Sequence, residues 1–179
     1  TCAIIFMNYY YLISSLPMLE FGMKPPISYN TFLERSKEQL IPVDMAIIER
    51  ASIGPYEDIN DNSPVLREWK RFDTLLRNEL VRSRAAKKHK DPSQYIRGGF
   101  SQDPFIAPFS HWAINQDSPL EAELYLDKIR WERLEELKGL HYFDIEYLVT
   151  YCLQLQILER WHRINSGDGM QVLERLINI

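Results

Sequence analysis

Residues Asp144 to Asn165 read DIEYLVTYCLQLQILERWHRIN, and this stretch decides the fold class. It contains no Gly or Pro, and its apolar positions recur with helical spacing. Tyr147, Leu148, Tyr151, Cys152, Leu155 and Leu158 make one broad stripe, while Val149, Leu153 and Ile157 make a smaller one on another side. A helix with two apolar sides cannot lie on a surface, so other elements must cover it. At about 1.5 Å per residue it would run roughly 33 Å, enough to cross a small domain. It ends in Glu159-Arg160-Trp161-His162-Arg163. That cluster reads either as a solvated end whose cations oppose the helix dipole or as a docking surface, and the residues leave both open.

Working outward, the flanking segments are helical too. Ser28 is a cap candidate ahead of Tyr29, Phe32, Leu33, Ser36 and Leu40, which keep helical spacing. Pro42 ends that helix and opens another over Val43 to Ala51, with Ile41, Met45 and Ile48 on one face. Before them, Asn8 to Leu19 suits a short helix stopped near Pro17, with a strand over Tyr9 to Ser14 as the alternative. Phe21 to Ile27 is a turn with an extended Pro-Pro pair.

Two further helices carry strong start signals. Ser63-Pro64 places a capping side chain before proline at the first helical position. The helix behind it is expected to reach about His89, with Val65, Leu66, Trp69, Phe72, Leu75, Leu76 and Leu80 as its stripe and Asp73 as a rim residue. Ser118-Pro119 repeats the signal, and Glu121 completes a capping box. That helix, running to Leu137, has Leu120, Leu124 and Trp131 on one side and Ala122, Leu126, Ile129 and Leu137 on another. A last helix is expected through Leu176, with Asp168 and Gln171 able to cap it. The expectation is an all-α, single-domain helical bundle over residues 8–179, arranged around 144–165. Residues 1–7 read as an upstream extension, since the chain begins with Thr and Met7 directly precedes the organised part.

Between the two Ser-Pro starts, residues 91–117 have no clear period and contain Pro92, Gly98, Gly99, Pro104 and Pro108. Such a stretch is long for a compact domain. It either holds a short helix near Phe105 to Asn115 or wraps the surface with Tyr95, Phe100, Phe105, Phe109 and Trp112 as anchors. In the second case it is a partner-binding loop. Just before it and into it, Arg82, Arg84, Lys87, Lys88, Lys90 and Arg97 face a single acid, Asp91. These cations suit an acidic protein surface or phosphates, or they are a solvated helix end.

The totals narrow the classes. With 45 % apolar and 26 % charged residues in 179, the chain has the composition of a globular protein. A net charge of −4 argues against a general nucleic-acid binder. Cys2 and Cys152 are far apart, and Cys152 sits on the main stripe of the central helix, so a small buried residue in a reducing compartment fits. No apolar run reaches the roughly 20 residues of a membrane span. The apolar start lacks the basic region and cleavage site of a signal peptide.

Chemistry is sparse. Gly98-Gly99 and Gly167-Asp168-Gly169 lack the Lys-Ser/Thr context of a phosphate-binding loop. Glu159 and His162 form one Glu-x-x-His pair, but a di-metal helical site needs two such pairs and two more glutamates. No catalytic, cofactor or metal set is expected.

Three stretches carry a resemblance: Tyr9 to Pro17 with Phe21-Gly22, Pro25-Pro26-Ile27-Ser28 with Phe32-Leu33, and Tyr151 with Leu155 to Trp161. Through them the chain resembles an uncharacterised family encoded beside bacterial V-type ATP synthase genes. That family is distantly similar to the C-type socket protein of A/V-type ATPases, known as the d-type in eukaryotes. The resemblance implies a non-enzymatic, all-helical part of this C-type kind, a connector or an assembly factor. Its partners would be stalk or membrane-ring subunits, and it would sit in the cytoplasm, held at the membrane through the complex. The C-type protein is a socket of three similar helical units, and this chain is about half its length. The partner-binding residues expected under this reading are Arg82, Arg84, Lys87, Lys88, Arg97, Phe105, Trp112, Arg160 and Arg163. The alternatives are a free-standing nucleic-acid-binding helical protein acting through the basic 82–97 segment, and a metal-dependent helical enzyme.

Overall fold

The computed structural model describes residues 9–99 and 102–166. Among them every regular element is helical: α1 (Tyr10–Ser15), α2 (Tyr29–Gln39), α3 (Pro42–Arg50), α4 (Pro64–Lys87), α5 (Ala107–Ile114), α6 (Pro119–Lys138) and α7 (Ile145–Asn165), with a 3₁₀ turn at Ser93–Tyr95. The all-α class expected from the periodicity is therefore the one the chain adopts. The expected extension at 1–7 and the last helix after Asp168 lie outside the described residues. The chain divides into two compact units, one formed before Gly54 and after Leu137, the other by Gly54–Leu137.

In the first unit, α7 is the organising element. Leu148 to Leu155 is buried without a break, as are Ile157, Leu158 and Trp161. Burying each large aliphatic side chain stabilises the fold by about 1.5–3 kcal/mol, which is why the two-sided stripe had to be covered. α2 and α3 both pack on α7. Phe32 of α2 meets Tyr151 of α7 with ring centroids 5.4 Å apart, and the Tyr151 hydroxyl donates to the Pro17 carbonyl at 3.0 Å.

The same helix caps its neighbours with polar side chains. Glu159 Oε1 accepts the backbone N–H of Tyr29, the first residue of α2, at 2.6 Å. One turn earlier, Gln156 donates Nε2 to the Ala51 carbonyl at the end of α3, at 2.8 Å, and its Oε1 accepts Ile53 N–H at 3.3 Å. Helix ends leave unsatisfied donors and acceptors, and here α7 supplies partners for two of them. Ser28 caps α2 as expected, accepting from Thr31 N–H at 3.0 Å. Asp144 caps α7 itself, accepting from Tyr147 N–H at 3.0 Å.

The segment open to two readings, Tyr9 to Ser14, is helical. Tyr9 fixes its start: its N–H donates to Phe143 O at 2.6 Å and its hydroxyl to Asp44 Oδ2 at 2.5 Å. Ser15 Oγ donates back to Leu12 O at 2.7 Å, ending α1 ahead of Pro17. In the turn that follows, Met23 N–H donates to Glu20 O and Gly22 stands at φ +86°. That conformation strains any residue with a Cβ.

In the second unit, α4 carries an apolar stripe and a buried polar one. Leu75, Leu76 and Leu80 form a core with Ile106, Ala113 and Leu126, flanked by Phe72, Phe109 and Tyr125. The expectation that Asp73 is a rim residue is corrected: it is fully buried. A lone buried carboxylate would be costly, and Asp73 is not alone. Arg77 Nε donates to its Oδ2 at 2.7 Å and Arg130 Nε to its Oδ1 at 2.8 Å, while Arg130 Nη1 reaches Asp127 at 2.9 Å. Burial works against the charge of Arg130, but Asp73 and Asp127 outweigh it and hold the guanidinium above its ordinary pKa.

A second correction concerns α6. Leu120 and Leu124 were expected on an apolar side with Trp131, but they are 53 % and 43 % exposed. The buried face is Leu126, Asp127, Arg130, Trp131 and Leu134. Asp127 and Arg130 can lie inside because each supplies the other's partner.

Candidate protein-docking site

Among the residues singled out for partner binding, Arg84, Lys87 and Lys88 come together in the second unit. They line one side of an open groove of about 420 Å³ at the C-terminal end of α4. Its floor is Leu80, Ala113, Ile114, Ala122 and Leu126, and Pro119, Gln116 and Glu123 complete it. Arg84 and Lys88 are exposed, with no ion pair seen for either among the described residues. Lys87 is exposed as well, and its Nζ donates to the Ile114 carbonyl at 3.2 Å, placing a cation on the end of α5.

The irregular stretch resolves into α5 and a set of tethers. Its order comes from α4, through polar residues that the apolar pattern does not reveal. Asn78, buried, donates Nδ2 to the Arg97 carbonyl at 2.8 Å and accepts Arg97 N–H at 3.0 Å. Glu79, also buried, accepts from Arg82 Nη1 at 2.6 Å and from Asp103 N–H at 3.1 Å. Asp103 in turn accepts from the N–H groups of Phe105 and Ile106, at 2.9 and 3.3 Å. Ser83 and Ser110 hydroxyls meet at 3.0 Å. These bonds hold the loop while Tyr95, Phe105 and Trp112 stay exposed.

Phe105 is 85 % exposed on this anchored turn. Trp112, 42 % exposed, stands beside Tyr125 with ring centroids 3.9 Å apart. Partial burial raises the Tyr125 phenol pKa, with Glu132 adding to the effect. A second open cleft lies along α5, with Pro104, Pro108, His111 and Trp112 in its wall.

Arg82 and Arg97 sit differently. The Arg82 guanidinium is held by Glu79, so it takes part in ordering the loop. Arg97 has an exposed side chain, and its backbone is the part gripped by Asn78. The floor residues Leu80, Ala113, Ile114, Ala122 and Leu126 carry no functional mark in the sequence. What marks them is that three helices bring them together, which periodicity within each helix does not show.

Arg160 and Arg163 belong to the first unit. Arg160 is partly buried, its guanidinium carbon 6.0 Å from the Trp161 ring centroid, and Trp161 is 8 % exposed. Arg163 is exposed beside an open cleft shared with Lys24, Ser28, Glu159 and His162. Of the Glu-x-x-His pair, Glu159 is engaged with the α2 N-terminus. No group of three or more His, Cys, Asp and Glu side chains positioned for a metal occurs among the described residues. None of the described helices is long and apolar enough to cross a membrane. Cys152 is fully buried; desolvation pushes its thiol up to about 12, against the ordinary value of 9.0.

Residues 111–179 match a family model described as a protein of unknown function (DUF2764). The match takes in the end of α5 together with α6 and α7. Neither the curated proteins nor the solved structures give a match.

Proposed function

We propose that this chain is a non-catalytic helical connector, a subunit or assembly factor of a bacterial V-type ATP synthase that works by binding other proteins. The observation that carries the connector reading is the surface around the α4 end. Arg84, Lys88, Phe105 and Trp112 are held outward, while the polar groups beneath them are engaged in internal hydrogen bonds. Exposed aromatic and arginine side chains on a rigid support are the residue types that dominate protein interfaces. The assignment to the ATP synthase rests on the resemblance carried by Tyr9 to Pro17, the Pro25 to Leu33 segment and Tyr151 to Trp161. On that reading the chain is peripheral to the membrane and reaches it through its complex.

Purification of the tagged chain from its native cell tests the proposal. Stalk or membrane-ring subunits should accompany it in stoichiometric amount. A chain recovered with no ATPase subunit sinks the assignment.

A further inference from the structure

We infer that the groove at the α4 end is a docking site for an acidic amphipathic helix of a partner protein; this rests on the connector reading above. The floor is apolar, from Leu80, Ala113, Ile114, Ala122 and Leu126, and is supplied by three different helices. Such a floor is shaped for side chains that leave one face of a helix, the groove-binding mode with anchors at i, i+3, i+4 and i+7. Arg84, Lys87 and Lys88 stand along one side and Glu123 belongs to α6 on another. A helix with acids beside its apolar stripe would meet the three cations while its leucines fill the floor. The cations would set its register and speed its encounter.

A nucleic acid fits this groove less well. Phosphates gain nothing from an apolar floor. The charge and the floor together select a peptide that is both acidic and apolar.

The experiment is a titration of the full chain, followed by amide NMR, with capped helical peptides of about four turns. The first carries leucine at i, i+3, i+4 and i+7 with glutamates on either side. The second replaces its glutamates with lysines, and the third replaces its leucines with serines. The first should bind and shift the amide signals of Ala113, Ile114 and Ala122; the other two should bind at least about tenfold more weakly. Arg84→Glu with Lys88→Glu should weaken the first peptide by a similar factor. Arg84→Gln with Lys88→Gln should give a smaller loss and guards against misfolding of the reversed chain. Arg67→Glu with Arg71→Glu, toward the other end of α4, should leave binding unchanged.

Equal binding of the lysine peptide, or of the serine peptide, overturns the inference. So does a duplex RNA that competes with the first peptide at lower concentration. Native purification with the Arg84→Glu, Lys88→Glu chain separates this inference from the assignment it rests on. Should the reversed chain still bring down the same ATPase subunits as the wild type, the groove assignment fails and the connector stands. A chain that binds the acidic peptide but recovers no ATPase subunit keeps the groove and loses the ATP synthase.

Discussion

Arg130 donates its Nε proton to Oδ1 of Asp73 at 2.8 Å, across 57 positions of sequence. Both side chains are out of water, 6 % and 0 % exposed, and Arg77 and Asp127 extend the pair on either side. Removing Asp73 leaves the buried Arg130 guanidinium short of a partner, which costs more than the pair itself contributes. Asp73→Ala should therefore lower unfolding free energy by about 3–5 kcal/mol. Glu136→Ala, which breaks the exposed pair with Arg133, should cost less than about 1 kcal/mol. Urea unfolding of the two variants checks the contrast, and similar midpoints would contradict it.

A carboxylate on α7 supplements the local cap on α2. Glu159→Ala deprives the Tyr29 N–H of its acceptor and should cost about 1–2 kcal/mol. Glu159→Gln keeps a neutral acceptor and should lose less. Hydrogen exchange at the Tyr29 amide should accelerate in the alanine variant; an unchanged rate there would show that the contact is not protecting.

Trp161 closes the end of α7. Since it is 8 % exposed, Trp161→Ala should remove about 3–5 kcal/mol. Thermal unfolding gives the answer, and a negligible change in Tm would place the ring in solvent.

Asn78 grips both backbone groups of Arg97, so Asn78→Ala should free the loop ahead of α5. Limited trypsin digestion should then cut after Arg97 several-fold faster, with little change in helix content by circular dichroism. Equal cleavage of variant and wild type would mean that other contacts hold the loop.

The Cys152 thiol is shielded and its ionisation is suppressed by burial, its pKa being pushed up to about 12. Iodoacetamide at pH 8 should leave it unmodified in the folded chain and alkylate it fully in urea, as read by peptide mapping. Because the folded chain holds this proton more tightly, the associated stability is complete below pH 9.0 and is lost as pH rises toward about 12. Rapid native alkylation at pH 8 would indicate an open site instead.

How much can be read without coordinates differs between the two units. The burial of the apolar stripes of α7, and the starts of α2 and α4 at Ser28 and Ser63, follow from helical periodicity and capping chemistry. Those forces act within a few residues, so one chain segment displays them. Asp73 escapes such a reading for the opposite reason. Its burial depends on Arg130, and nothing near Asp73 announces that partner. Leu120 and Leu124 escape it because α6 is apolar on more than one side, and a pattern cannot choose which side is covered.

The groove at the α4 end shows the same division. Its cations are visible as a run of Arg and Lys at the end of α4, but their meaning is open among three readings. Periodicity and local capping made this an all-helical chain with α7 at the centre of one unit, since each helix carries that information in its own residues. Tertiary structure alone decided that Asn78 and Glu79 order the loop, and that Arg84, Lys87 and Lys88 border an apolar floor. Those arrangements join residues distant in sequence through side-chain hydrogen bonds and packing, and such partners are chosen only when the helices come together.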